Sequence, residues 1–229
     1  FRNSACYERY WEGRKLWGDL LLRGRNLARQ MLSLVDLPAP PVHARDLADV
    51  RVRMVLRAVA FCQALKQQLR GAAEPREGLQ PLLRQADWQA LAGQRNVAAA
   101  LMMQMGTDLN DCRRAGQLDS VRAASIDATL SALTASAAGC ARIKSSPLPF
   151  SYTLLLHRTA YLYCFLLPFG LVDSIGFMTP FVVGIVAYTF FGLDALGDEI
   201  EEPFGTEAND LPLEAICRSI EIDLRQALG

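Results

Sequence analysis

Apolar positions recur at helical rather than alternating spacing along almost the whole chain. In residues 5–36 they fall at Tyr7, Tyr10, Trp11, Leu16, Trp17, Leu20, Leu21, Leu27 and Leu32, close to an i, i+3, i+4 pattern. Glu12 with Lys15, Lys15 with Asp19, and Asp19 with Arg23 fall three or four apart and support the same helix by pairing along its polar side. The prolines of "DLPAPP" at 36–41 end it. A second long helix is predicted over 43–70 from Val50, Met54, Val55, Val59, Phe61, Cys62 and Leu65, and "RGAAEPREG" at 70–78 breaks it. One or two short helices around Trp88 follow in 79–93, then a helix from Asn96 to Arg114 and another from Leu118 to Ile143. The last is rich in Ala, Ser and Gly, which allow close approach of a neighbouring helix. No stretch shows strand alternation bounded by hairpin signals, so the expected class is all-α.

The pattern then changes. From Ser145 to Leu193 the only charged or imidazole side chains are His157, Arg158 and Asp173. Residues 176–193 give 18 uncharged positions, close to the roughly 20 that a helix needs to cross a bilayer. The run before it meets that length when His157 and Arg158 face protein or water, because both are costly against lipid. They are expected to face the helix bundle or to mark a break after Pro147 and Pro149, with an ion-facing pair as the alternative. The short "DSI" between the runs predicts a membrane hairpin whose outer ends share one side. Of the 24 Lys and Arg residues, 21 precede residue 147, which puts that side in the cytoplasm. The alternative is a buried hairpin inside a large soluble bundle. The chain therefore divides into a helical region at 1–146, a hairpin at 147–200, and a loop with an amphipathic helix at 201–229, all one integrated domain. In that last helix Leu213, Ile216, Cys217, Ile220 and Leu224 form the apolar stripe.

Composition narrows the function. A formal net charge of zero gives no basic field for nucleic acid. The six cysteines are widely spaced with no C-x-x-C pair, which suits small buried side chains better than a zinc or redox motif. His43 and His157 are the only histidines, so no H-x-x-x-H metal pair exists. No P-loop, G-x-S-x-G or dinucleotide fingerprint stands in a suitable setting, and no enzyme is expected. Asp198, Glu199, Glu201 and Glu202 cluster at a predicted helix end and are expected to form a solvated patch. In "EEPFGTEANDLP", residues 201–212, Glu207 and Asp210 are two carboxylates where calcium wants six to eight oxygens. The loop thus reads as a capping turn, with Asp210 as N-cap, Pro212 in the first turn and Glu214 on the helix dipole. The opening "FRNSACYERYWEGRKLWG" has no capping residue ahead of it and predicts further helix upstream.

Several ordered motifs resemble the bestrophin family of ion channels, and its bacterial branch in particular. They are "FRNSACYERYWEGRKLWG" at the start, "PLPFSYTLLLHRTAYLYC", "MTPF" and "YTF" in the hairpin, and "EEPFGTEANDLPLEAICRSIEIDL" after it. The resemblance implies a homopentamer in a bacterial inner membrane, multi-pass, with a large cytoplasmic part. Its partners would be other copies of itself, the lipid bilayer and permeant monovalent ions, with cations favoured over anions. By family position Phe1 closes the cytoplasmic end of an apolar pore neck. Val121 forms a second, cytoplasmic aperture, with Arg122 as the neighbouring alternative. Glu207 and Asp210 match acids of a calcium loop that is denser in eukaryotic relatives. Thr206, Ala208 and Asn209 replace the rest, which argues against calcium activation, and no other cofactor is implied. The competing class is a membrane-anchored helical scaffold that does not conduct.

Overall fold

The computed structural model describes residues 2–37, 45–72, 78–147 and 149–229. Eight α-helices are seen among them, and no strand: α1 Arg2–Leu34, α2 Val50–Leu69, α3 Gln85–Ala90, α4 Val97–Arg114, α5 Ser120–Ser145, α6 Phe150–Ile175, α7 Thr179–Glu201 and α8 Leu213–Leu228. They form two compact units, one of Arg14–Arg142 with Pro212–Gly229 and the other of Phe1–Gly13 with Ile143–Leu211.

In the first unit α2 is the central element. Nearly all of its side chains are buried, several cations among them, and it packs against α4 and α8. Its buried cations must be paired. Arg51 meets Asp49 at 2.7 Å, Arg57 meets Asp87 and Asp108, and Lys66 donates to Glu214 at 2.7 Å. On α8, Leu213, Cys217, Ile220 and Leu224 are buried as the apolar stripe requires, while Ile216 is half-buried. The small residues of α5 do permit close packing: a Cβ added at Gly139 would lie 2.9 Å from both methyls of Leu16.

One helix start differs from the sequence expectation. Residues 43 and 44 lie outside the described residues, and 45–49 form turns rather than the first turns of α2. The reason is local. Asp49, in extended conformation, accepts the Arg51 backbone N–H at 2.8 Å and caps α2 there.

The second unit contains the hairpin of α6 and α7. Its register runs antiparallel through three contacts: His157 with Asp194, Tyr161 with Phe191, and Tyr163 with Phe190. The pairs converge on Gly176, whose φ of 51° suits glycine, and Thr179 Oγ1 donates to its carbonyl at 2.7 Å. With 26 and 23 residues the helices are about 39 and 35 Å long, more than the roughly 30 Å of a bilayer core. Only 6% of the most apolar window within Leu154–Glu201 is buried. Tyr161, Phe165, Phe169, Ile185 and Tyr188 all stand exposed. A core hairpin of a soluble bundle would be covered, so the exposed apolar surface speaks against that alternative and for a membrane location.

Candidate functional site

The open end of the hairpin, away from its turn, is held by an arginine that the sequence did not single out. α7 presents Asp194, Asp198 and Glu201 at i, i+4 and i+7, which is one helix face. The Arg2 side chain, 3% exposed, meets all three: Asp194 Oδ1 at 2.7 Å, Asp198 Oδ1, and Glu201 Oε2 at 3.1 Å. Asn3 Nδ2 donates to the Leu193 carbonyl at 2.8 Å. This approach needs Gly197, since a Cβ there would fall 2.8 Å from Asn3 Oδ1. Arg9 completes the anchorage by donating to the backbone carbonyls of Ile143 at 2.8 Å, Glu201 at 3.4 Å and Ser146.

Three of the four acids at this helix end are exposed, as the sequence led us to expect, and Glu201 is half-buried; what the sequence missed is that they are also paired. Asp198 and Glu201 bind Arg2, Glu199 accepts from Asn209, and Lys144 meets Glu202 at 2.9 Å. Acids in the last turns of a helix oppose its macrodipole, and that signal could have pointed to a nearby cation. Its identity could not be read, because Arg2 lies some 190 positions upstream.

The two polar residues of the apolar run separate. His157 is half-buried and pairs through Nε2 with Asp194 Oδ2, so it does face the bundle. Arg158, about 100° further round α6, is exposed and does not. It stands about 12 Å from the start of the helix, within reach of an interface for a long side chain.

In the loop after α7, Phe204 is buried, and Leu211 N–H donates to the Pro203 carbonyl at 2.9 Å. Asp210 does not cap α8. That helix starts after Pro212 with no side-chain cap, and Asp210 Oδ2 instead accepts the Glu207 backbone N–H at 2.7 Å. The loop's oxygens do not fit a calcium site. Glu207 is exposed, Asn209 is turned out to Glu199, and only Asp210 Oδ1 is buried without a hydrogen bond.

Of the residues expected at constrictions, Phe1 lies outside the described residues. Val121, at the start of α5, is 80% exposed. Arg122 beside it is tied back: it meets Asp36 at 2.7 Å and Asp119 at 3.1 Å, and donates to the Leu34 carbonyl at 3.2 Å. Asp119 also caps α5 by accepting the N–H groups of Val121 and Arg122, both at 2.8 Å.

Residues 1–226 match the family described as Bacterial/Fungal Bestrophin protein. A voltage-dependent anion channel-forming protein of Mesorhizobium japonicum is 46% identical over all of this chain and 70% of its own length. The voltage-dependent anion channel-forming protein YneE of Escherichia coli is 44% identical over 99% of this chain and 71% of its own. Among solved structures, a bacterial bestrophin homologue from Klebsiella pneumoniae with a point mutation superposes with a TM-score of 0.91 at 40% identity. That likeness covers the whole of this chain and 82% of the other.

Proposed function

The chain belongs to the bacterial/fungal bestrophin family, a family of ion channels and not of enzymes, and on that premise we propose that it is the subunit of a homopentameric channel. The hairpin crosses a bacterial inner membrane twice, with both outer ends on the cytoplasmic side. The shared pore passes an apolar neck that ends at Phe1 and a cytoplasmic aperture at Val121. Rings of apolar side chains resist hydration, so ions cross only when such a constriction widens or wets.

One observation carries the ion preference. The Arg122 guanidinium is already engaged by Asp36 and Asp119, so the exposed side chain at the start of α5 is Val121 and not a free cation. An aperture built this way lacks the positive ring that anion selection needs, although the relatives are named for anions. The channel passes monovalent ions with weak charge selection and a lean towards cations.

Reversal potentials in asymmetric potassium chloride, recorded from the protein reconstituted in planar bilayers, test this. The expected reversal lies towards the potassium equilibrium potential, and Arg122→Ala leaves it there. A strong chloride preference that Arg122→Ala abolishes would overturn the assignment of the aperture. Absence of any current from correctly assembled protein would favour the non-conducting scaffold.

A further inference from the structure

The end of α7 carries more negative charge than its partners remove. Asp194, Asp198 and Glu201 face the single guanidinium of Arg2. That is three carboxylates against one guanidinium. The excess also sits in the last two turns of α7, where the helix dipole is itself negative.

The geometry around that excess is organised. Arg2 takes Oδ1 of both Asp194 and Asp198, while His157 Nε2 meets Asp194 Oδ2 from α6. The ligand-capable atoms of His157, Asp194 and Asp198 all lie within 4.8 Å of one another. Arg2, almost wholly buried, acts on the two carboxylates as outer-shell partners act on metal ligands, fixing their orientation from behind. Asp198 is exposed and His157 half-buried, so the trio can be reached from solvent.

We propose that His157, Asp194 and Asp198 bind a first-row divalent cation of the zinc class at the base of the α6–α7 hairpin. One imidazole and two carboxylates are a donor set that suits zinc, with the fourth position left to water. Calcium, which wants six or more oxygens, is poorly served by it. Tetrahedral zinc places its ligand atoms about 3.4 Å apart, so the more distant pairs close by little more than about 1 Å, while His157 Nε2 and Asp194 Oδ2, in direct contact here, part to admit the ion. Glu201 remains with Arg2. Bound there, the cation joins α6 to α7 and stiffens the hairpin at its polar end. The site does not depend on the channel reading.

Protein purified in detergent, stripped with a chelator and titrated calorimetrically with zinc chloride tests the proposal. About one zinc per chain is expected. His157→Gln and Asp198→Asn should each weaken binding by at least about tenfold, and Glu199→Gln should not change it. His157→Cys should keep the site and give cobalt(II) a thiolate charge-transfer band in the near ultraviolet. No zinc uptake by the wild type overturns the proposal, as does uptake unchanged in His157→Gln, which would mark an adventitious ion. Folding of each variant is read by circular dichroism and gel filtration. Should His157→Gln aggregate, the cobalt spectrum of His157→Cys still decides, and a missing thiolate band rejects the site.

Discussion

Arg57 Nη2 donates to Asp87 Oδ2 at 2.6 Å in a part of the core where Arg57 has no exposed surface. Its other arm holds Asp108, which also accepts from Arg53 at 2.9 Å, while Arg84 meets Asp87 at 2.8 Å. Without Arg57, Asp87 keeps only Arg84 and Asp108 only Arg53, and the buried pocket of the guanidinium is left empty. Arg57→Ala should therefore destabilise the protein by about 3–5 kcal/mol. Thermal melts in detergent check this, and a midpoint within a degree or two of the wild type would contradict it.

The same network makes stability depend on pH. Burial alone would raise the Asp87 carboxyl, but hydrogen bonds from Arg84 and the charge of Arg57 outweigh it and hold it below the usual carboxylate range. An unfolded Asp titrates near about 3.9. On acidification the unfolded chain takes up this proton first, so the Asp87 contribution is complete above about pH 5 and fades as the pH falls through the folded value. Asp87→Asn should lower the melting temperature at pH 7 and flatten its decline between pH 5 and pH 3. An acid limb as steep as that of the wild type would show that other groups dominate.

Gly139 on α5 sits against Leu16 on α1, with room for hydrogen and little else. Gly139→Ala should cost about 1–3 kcal/mol through overpacking. Leu16→Ala in the same chain should recover part of that loss, because the clash disappears with the isobutyl group. Comparing the two single variants with the double variant measures the coupling, and strictly additive effects would refute the contact.

Burial raises the thiols of Cys62 and Cys112 and pushes that of Cys217 up to about 12. Thiolate is the reactive form, so these positions should stay unlabelled by a maleimide at pH 7 until the fold opens. In a Cys164→Ser background, mass spectrometry should find none of the three modified in native protein and all three modified after denaturation. Rapid native labelling of Cys217 would mean that α8 detaches from α2.

The helices were legible because each carries its own periodic stripe, and the hairpin because a long run nearly free of charge has few other uses. What stayed hidden was pairing at a distance. The start of α2 depended on whether Asp46 or Asp49 caps it; Asp46 instead accepts the Ala48 N–H at 3.0 Å within its own turn. Asp210 has the composition of a cap, yet it satisfies Glu207 in the loop, because α8 starts only after Pro212, which offers no N–H of its own. The acids of α7 were visible, but hydrophobic periodicity says nothing about which cation lies opposite. Arg2 and His157 are separated by more than 150 residues of chain and come together at Asp194 only in three dimensions.

The grip of Arg2 on α7 also sets an order of events during biosynthesis. Arg2 and Asp194 are 192 positions apart, and at 5–20 residues per second a ribosome needs roughly 10–40 s to cover that interval. Until then the guanidinium at the head of α1 must stay hydrated or be shielded by other factors, since its acids have not been made. A segment made early is thus among the last to settle, and mistakes in translation near residue 200 are felt some 190 positions upstream.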